Sequence, residues 1–354
     1  MDNFEILSLT SSVKWNEYLQ KLPREQQDIY FTPDYYRLYE DLGDGKAQCF
    51  VFKKDGDIAL YPFLINSINK LGYDLDNQYY DIQGAYGYNG IVTSSYEDSF
   101  ISSFYSAFDD YILNNNIIAE FTRFHPIIDN YLFSIDMAVI EERKTISLDL
   151  TNEYDFIWKN CYSNINRNMI RKAIKSNIRI SISDFVSDYI VFFDLYKRTM
   201  QNVGAEKYYY FSEEYFKNFK KLLSHNHKLI LAKIDGELIC AMILMFYGKY
   251  AHYHLSGRLR EFSNRGVNNL LLDEAIKIAK KSGCTLFHFG GGTTNLQNDS
   301  LLKFKSNFSI DKRTFRIGEK ILNKKVYNEI VTQWEIKYPE KVEQYKNLVL
   351  KYRY

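Results

Sequence analysis

The stretch Phe287-His288-Phe289-Gly290-Gly291-Gly292 is the most informative part of this 354-residue chain. The apolar run Thr285-Leu286-Phe287 predicts a buried strand, and that strand ends in three successive glycines. Because glycine has no β-carbon, the backbone there can turn sharply and approach a ligand closely. A polar loop with Asp299 follows, and then the pair Phe304-Lys305. In an α/β sheet this arrangement predicts a binding site beyond the carboxyl end of the strand.

The strand and helix pattern that contains this stretch occurs twice along the chain. Each half predicts, in the same order, a hairpin around an Asp-Gly turn, an amphipathic helix and a further strand. These elements lie at 48–65, 96–113 and 117–124 in the first half, and at 228–246, 267–281 and 285–289 in the second. We therefore predict an α+β (α/β) protein with a duplicated unit, whose second copy starts at the strand-like run 145–150.

The composition narrows the function classes. With 46% hydrophobic residues the chain is long enough for about two domains, and its net charge of +1 gives no global attraction to nucleic acid or to an anionic membrane. The four cysteines are far apart and form no C-x-x-C pair, which indicates buried thiols in a reducing cytoplasm. The first residues show no signal-peptide pattern, and no apolar run has the length of a membrane span. The histidines show no ligand spacing, so we predict no metal.

A family resemblance rests on five motifs that occur in a fixed order. They are Tyr86-Gly87-Tyr88-Asn89-Gly90, the basic helix 166–173, Tyr208-Tyr209-Tyr210-Phe211, Tyr253-His254-Leu255-Ser256-Gly257, and the glycine triplet followed by Asp299, Leu302, Phe304, Lys305 and Phe308. In this order they resemble the Fem-type peptidoglycan-bridge aminoacyltransferases (the FemAB/FemX-like group) and the related BioF2-like acetyltransferases, both within the N-acetyltransferase (GNAT) superfamily. The resemblance covers approximately residues 31–315.

The resemblance implies two tandem GNAT-like (acyl-CoA N-acyltransferase) domains, with the transfer site in the cleft between them on the side of the second. We expect an N-terminal domain at 1–144, a C-terminal domain carrying the transfer site at 145–324, and a helical tail at 325–354 that packs back on the first domain. The activity implied is transfer of an acetyl or aminoacyl group to an amine of a cell-envelope precursor.

The GNAT pyrophosphate loop has the form [Gln/Arg]-x-x-Gly-x-[Gly/Ala], and here the matching residues are Ser263 to Asn268. Only Gly266 of that pattern is kept, although Arg265 and the helix-start amides could still bind the phosphates of a donor. The acyl donor therefore stays open between acyl-CoA, with acetyl-CoA as the simplest case, and aminoacyl-tRNA. The alternative for this segment is an ordinary loop with a turn glycine.

The basic helix places Arg167, Arg171 and Lys175 on one face, at spacings of four residues. Arginine can direct two donors onto one phosphate, so Arg167 and Arg171 are candidates to bind a nucleotide-linked or lipid-linked precursor, or a tRNA backbone. The alternative is an amphipathic helix with a solvated basic face.

Lys305 has the strongest chemical case as a catalytic residue, because an ammonium could stabilise a developing oxyanion. Phe304 would position the backbone or stack on a substrate ring. Asp299 is a substrate-site candidate, but an N-cap of the following helix is the favoured role. His254 is a candidate general base, for which a structural histidine is the alternative.

The other substrate-site candidates are glycines and tyrosines. Strand alternation puts His254 and Ser256 on one face and Tyr253 on the other, so the three can meet only if the strand bulges. The full set of further candidates is Gly290, Gly291, Gly292, Tyr253, Ser256, Tyr86, Tyr88 and Tyr209. For Tyr86 and Tyr88, a tight turn with packed tyrosines is the alternative.

The sequence thus predicts an N-acyltransferase (EC 2.3) located in the cytoplasm or at the inner face of the membrane. Its expected partners are an envelope precursor and, for one of the two donors, tRNA; the oligomeric state stays open. A different class of function is a non-catalytic, degenerate GNAT pair that binds a sugar-nucleotide or a partner protein. The incomplete pyrophosphate motif motivates that alternative.

Overall fold

The computed structural model describes residues 3–296 and 298–354, which divide into two compact units. The first unit runs from the N-terminal strand to Glu142 and also contains Phe315–Tyr354, and the second unit is Arg143–Thr314. Within the described residues, no helix is both long enough and apolar enough to cross a membrane.

The first unit begins with a strand, two helices and an antiparallel hairpin. Its elements are β1 (Asn3–Ser8), α1 (Ser12–Lys21), α2 (Pro33–Asp41), β2 (Lys46–Lys54), β3 (Asp57–Ser67), β4 (Tyr80–Gln83), β5 (Val92–Thr93), α3 (Asp98–Asn114) and β6 (Ile117–Arg123). The β2–β3 turn has positive φ at both Asp55 and Gly56, which is the geometry that an Asp-Gly hairpin turn favours. The strands pair in the order β1-β2-β3-β4-β6, and β4 and β6 are parallel because α3 crosses between them.

The second unit repeats this order of elements, from β8 onward, after an additional strand and two helices. Its elements are β7 (Ala138–Asp149, from residue 143 onward), α4 (Tyr154–Phe156), α5 (Asn164–Lys175), β8 (Arg179–Ser183), α6 (Val186–Val203), α7 (Glu213–Leu222), β9 (His227–Ile234), β10 (Glu237–Tyr247), β11 (Tyr250–Arg258), α8 (Val267–Lys281), β12 (Leu286–Gly291) and α9 (Ser300–Ser306). The strand order is β7-β12-β11-β10-β9-β8, and the parallel pair here is β11 and β12.

The two units therefore share one topology. In each, a strand is followed by two helices, a hairpin, a strand, a helix and a parallel strand. The predicted α/β class with a duplicated unit is confirmed. The predicted helix at 267–281 coincides with α8, because its apolar positions repeat at a helical period and Gly283, with a φ of 82°, follows its end.

The last part of the chain returns to the first unit. It contains β13 (Asp311–Ile321), α10 (Lys324–Lys337) and α11 (Val342–Tyr345). Residues 317–321 of β13 pair with β6 in antiparallel register, from Ile317 with Arg123 to Ile321 with Ala119. Residues 315–324, which the sequence assigned to the second domain, consequently belong to the first unit. A long-range strand pairing decides this boundary, and local sequence carries no signal of it.

The C-terminal segment packs into the core of the first unit. Ile330, Trp334 and Tyr352 are buried in one apolar cluster with Ile68 and Ile118. The indole N–H of Trp334 donates to the carbonyl of Tyr354 at 3.0 Å. The tail is therefore part of the folded first unit.

A buried ion pair fixes the end of this segment. Asp81 of β4 is fully buried, and one of its oxygens accepts hydrogen bonds of 2.9 Å from Tyr352 Oη and from Arg353 Nε. The Arg353 guanidinium also forms an ion pair with the other Asp81 oxygen. A carboxylate in this position needs its cation, since an unpaired buried charge is strongly destabilising.

We predict that Arg353→Met lowers the free energy of unfolding by about 3 kcal/mol, because it leaves the buried Asp81 carboxylate without its cation. Urea unfolding followed by circular dichroism measures the change. The double variant Asp81→Asn/Arg353→Met removes both charges and should be more stable than Arg353→Met alone. Equal stability of the single variant and the unmodified protein would contradict this assignment.

Candidate functional site

The candidate site of the second unit lies where the parallel strands β11 and β12 part. Their pairing runs from Tyr250–Leu286 to His252–His288 and is not continued beyond it. Directly after this point both strands bulge, at His254-Leu255 in β11 and at Phe289 in β12. Such extra residues break the ladder and redirect the side chains that follow.

The bulge in β11 places Tyr253 and Ser256 on the same face. Met242 pairs with Ser256 and Leu244 with Tyr253, so two residues of β11 oppose the single Ile243. The hydroxyls of Tyr253 and Ser256 are hydrogen-bonded to each other. Regular strand alternation predicts opposite faces for Tyr253 and Ser256. The bulge brings them to one face instead.

His254 points away from this pair. Its Nε2 lies 3.1 Å from the hydroxyl of Tyr215, and its ring stacks on Phe219 at a centroid distance of 5.3 Å. Burial lowers the pKa of His254 to about 3, so the imidazole is neutral at physiological pH and a weak base. The structure does not bring His254 together with Tyr253 and Ser256, and its contacts are those of a structural histidine.

Among the cationic residues that the sequence predicts for the site, Lys305 is buried beside the parted ends of β11 and β12. Its Nζ donates to the carbonyl of Gly291 at 2.6 Å and lies 5.4 Å from the centroid of the Tyr253 ring. Only 5% of the residue is exposed. Burial lowers the pKa of Lys305 to about 7, with Asp299 opposing the shift and Arg143 adding to it. At neutral pH this amine can therefore both hold and release a proton.

Two glycines of the triplet are favoured for different reasons, Gly290 by its backbone conformation and Gly292 by the closeness of Asp299. Gly290 has a φ of 74°, and a β-carbon there would lie 3.4 Å from Lys305 Nζ. A β-carbon on Gly292 would overlap the carboxylate of Asp299. Glycine at these two positions therefore permits both a left-handed turn and a close approach.

Asp299 is the N-cap of α9. Its Oδ1 accepts from the backbone N–H of Leu302 at 2.8 Å, and its Oδ2 accepts from the backbone and hydroxyl groups of Thr293 and Thr294. These donors hold the pKa of Asp299 well below its usual range despite its burial. Asp299 thus organises the loop and orients α9, which carries Lys305.

Two further observations complete this part of the site. Phe304 packs into the core against Phe308, with ring centroids 5.7 Å apart, so it supports α9 from the apolar side. Arg143, which the sequence did not single out, donates to the carbonyls of Gly292 and Thr293 at 3.3 Å. Arg143 lies within β7, and a lone arginine in a strand carries no local signal of such a contact.

The segment that matches the pyrophosphate loop is packed against α5. Gly266 has a φ of 73° and is the N-cap of α8, and a β-carbon there would overlap the carbonyl of Met169. The Arg265 guanidinium lies over the ring of Phe262 at 5.1 Å. Lys172 Nζ donates to the carbonyl of Asn264 at 2.8 Å. Packing against Met169 is therefore enough to explain why residue 266 is a glycine.

The structure separates the roles of the two arginines of α5. Arg167 donates to the carbonyls of Trp158, Lys159 and Tyr162, and so caps the turn that precedes the helix. Arg171 is exposed, and its guanidinium lies 5.5 Å from the Trp158 ring centroid. Arg167 Nη1 is engaged by these carbonyls and Nη2 by the Oδ1 of Asn164, so phosphate binding stays a prediction for Arg171.

The predicted tyrosines lie in different places. In the first unit, the Tyr88 ring is 5.1 Å from both Tyr30 and His125. The carbonyl of Tyr86 accepts from Tyr35 Oη at 2.6 Å. These contacts describe a tight turn with packed tyrosines. In the second unit, Tyr209 is 36% exposed and packs against Tyr208.

Comparison with known proteins finds one matching domain and a similar fold. Residues 165–299 match the family model described as an acetyltransferase (GNAT) domain. No curated protein sequence matches the chain significantly. The solved structure of FemX is similar with a TM-score of 0.70 and 16% identity, over 92% of this chain and 99% of FemX.

Two further solved structures are similar at a lower level. The C-terminal domain of a putative lysylphosphatidylglycerol synthetase from Agrobacterium fabrum has a TM-score of 0.54 and 10% identity, over 88% of this chain and 91% of that one. L-PGS from Bacillus licheniformis has a TM-score of 0.52 and 13% identity, over 84% of this chain and 94% of L-PGS. At these identities the likeness concerns the fold, and it confirms the predicted FemX-like tandem GNAT architecture.

We predict that Lys305→Met changes the pH dependence of stability. The ordinary lysine pKa is 10.5 and that of Lys305 is about 7, so between these values the unfolded chain binds the additional proton. The free-energy cost of burying Lys305 as a cation is therefore largest below about pH 7. As the pH rises above 7 this cost decreases, by up to about 1.4 kcal/mol per pH unit.

Urea unfolding between pH 6 and pH 10 measures this effect. The stability of Lys305→Met relative to the unmodified protein should be highest at the acidic end and fall toward pH 10. Lys303→Met, an exposed position two residues earlier in α9, is the matched control and should show no such trend. A pH-independent difference for Lys305→Met would contradict the shifted pKa.

Proposed function

We propose that this chain, which has a FemX-like tandem GNAT fold with an acetyltransferase (GNAT) domain at residues 165–299, is an N-acyltransferase. The transferred group is an acetyl or aminoacyl group, and the acceptor is an amine of a cell-envelope precursor. The observation that carries the proposal is the buried Lys305, held by Gly291 and facing Tyr253 where β11 and β12 part.

The parted strand ends supply the groups that acyl transfer requires. The lone pair of the acceptor amine attacks the carbonyl carbon of a thioester or ester, and negative charge develops on the carbonyl oxygen. A cationic Lys305 in this dry environment stabilises that charge more strongly than it would in water. When the tetrahedral intermediate collapses, the new C–N bond remains and the C–S or C–O bond to the donor breaks. The leaving sulfur or oxygen keeps that electron pair and receives the proton that the acceptor amine has lost.

The proton of the attacking amine also needs an acceptor. His254, with a pKa of about 3 and a contact to Tyr215, is poorly suited to that role. A Lys305 amine that is neutral when the acceptor attacks takes up this proton, as its pKa of about 7 allows, and thereby becomes the cation that stabilises the oxyanion. Tyr253 and Ser256, whose hydroxyls are joined, would position the reacting groups beside it.

The donor is proposed as either acyl-CoA or aminoacyl-tRNA. The GNAT domain supports acyl-CoA, whereas the likeness to FemX and to lysylphosphatidylglycerol synthetases supports an aminoacyl donor. The contact between Gly266 and the Met169 carbonyl leaves Arg265 and the start of α8 as the groups that would bind a donor phosphate. The exposed Arg171 is the residue of α5 proposed to contact the precursor.

The contact between Gly266 and the Met169 carbonyl also favours a second candidate function. Ser263 replaces the usual Gln or Arg of the pyrophosphate motif, and α5 packs on its glycine. A non-catalytic GNAT pair that binds a sugar-nucleotide or a partner protein would show these features. For the enzyme, we propose a cytoplasmic location, with peripheral binding at the membrane when the precursor is lipid-linked.

Ligand-induced thermal stabilisation separates these functions. Stabilisation by acetyl-CoA would support an acyl-CoA donor, and stabilisation by a UDP-muramyl peptide alone would support the aminoacyl branch. If neither ligand class raises the melting temperature, both enzyme assignments fail, and binding of a partner protein is the function that remains.

We predict that Lys305→Ala lowers kcat by about 100-fold or more, which is the usual effect of removing one group that stabilises an oxyanion. Turnover with the donor and acceptor that stabilise the protein measures the loss. Lys303→Ala, on the exposed side of the same helix, should retain turnover. Undiminished kcat in a folded Lys305→Ala variant would contradict the role of Lys305.

A further inference from the structure

Two successive peptide groups of the loop after β12 lie between an anion and a cation. The peptide that joins Gly292 to Thr293 donates its N–H to Asp299 Oδ2 at 3.0 Å, and its carbonyl accepts from Arg143 Nη1 at 3.3 Å. The next peptide, between Thr293 and Thr294, repeats both contacts at the same two distances. Each peptide dipole therefore has its positive end at a carboxylate and its negative end at a guanidinium, which is favourable at both ends.

The strand β7 brings Arg143 beside this loop. The antiparallel ladder of β7 with β12 ends at the pair Thr145–Gly291, and Arg143 precedes Thr145 by two residues. Arg143 therefore lies alongside the residues that follow Gly291. A β-carbon on Gly291 would be only 3.1 Å from Arg143 Cδ, so the glycine at this position leaves room for the arginine side chain.

The loop is connected to α9 through a single carboxylate. Asp299 Oδ2 binds the two loop peptides, whereas Asp299 Oδ1 accepts from the backbone N–H of Leu302 in the first turn of α9 at 2.8 Å. A displacement of the loop would consequently move the N-cap of the helix that carries Lys305. Arg143 holds the carbonyl side of the same peptides, so it is the second anchor of this loop.

Arg143 also acts on Lys305 through its charge. Burial is the main cause of the lowered pKa of Lys305, while Asp299 opposes the shift and Arg143 adds to it. The Tyr253 ring that faces Lys305 stays uncharged, because burial raises the pKa of Tyr253 to about 12. Arg143 thus favours a neutral Lys305, the form that takes up the proton of the attacking amine.

We propose that Arg143 is a positioning residue of the transfer site, which fixes the loop after β12 and, through Asp299, orients the helix that carries Lys305. Arg143 acts on the loop carbonyls and on Lys305, and is given no contact with the reacting atoms. The inference rests on the proposed function, since Lys305 is the group that Arg143 positions. Proton binding by Lys305 and acyl transfer are nevertheless measured separately.

The pKa of Lys305 in Arg143→Gln, followed by NMR of the full chain labelled with ¹³Cε-lysine, tests this role. Glutamine removes the charge and shortens the donor, so the pKa of Lys305 should rise from about 7 to about 8 or higher. Arg143→Lys keeps the charge and one donor, and should give a smaller rise. Lys144→Gln is the matched control, because the Lys144 amine donates to Thr314 Oγ1, and it should leave the pKa of Lys305 unchanged.

Turnover provides the second measurement. Arg143→Gln should lower kcat by roughly tenfold or more while KM changes little, because a misplaced group slows the reaction without removing a contact to the substrates. Arg143→Lys should recover part of this loss. The acidic limb of the pH profile should move to higher pH together with the pKa of Lys305. A cooperative thermal transition shows that each variant folds.

Two results would overturn the proposal. One is an unchanged pKa of Lys305 in folded Arg143→Gln. The other is a raised KM for the acyl donor with an unchanged kcat, which would make Arg143 a donor-binding residue. If the pKa rises as expected but the unmodified protein transfers no acyl group, the proposed function fails and the positioning of Lys305 by Arg143 is supported.

Discussion

The separation of two parallel strands is the constraint on which the candidate site depends. β11 and β12 pair only as far as His252 and His288, and each bulges immediately afterwards. The bulge in β11 turns Tyr253 and Ser256 to one side, and Gly290 follows the bulge in β12 with its left-handed turn. Without this separation, Lys305 would have no place at the ends of the strands.

The loop after β12 holds the amine of Lys305 at the parted strand ends. Gly292 allows Asp299 to approach, and Asp299 binds the backbone of the loop and the first turn of α9. Phe304 holds the other side of α9 in the core, against Phe308. Lys305 is consequently fixed against the Gly291 carbonyl. The glycines thus allow the loop geometry through which Asp299 orients the helix that carries Lys305.

Local sequence predicted much of the fold, because Asp-Gly turns and helical periodicity are local signals. The turns at Asp55-Gly56 and Asp235-Gly236, and the helix at 267–281, are examples. Features that depend on distant partners were not predictable. The return of β13 to β6 is one of these, and the contact of Arg143 with the Gly292 carbonyl is another, since both join residues that are far apart in the sequence.

The pKa of Lys305 in the folded protein tests the central claim most directly. It can be followed by NMR of ¹³Cε-labelled lysine, with Lys305→Met used to assign the signal. A buried amine at the parted strand ends should titrate with a pKa of about 7. A pKa at or above the ordinary lysine value of about 10.4 would show a solvated side chain, and would contradict the assignment of Lys305 to the transfer site.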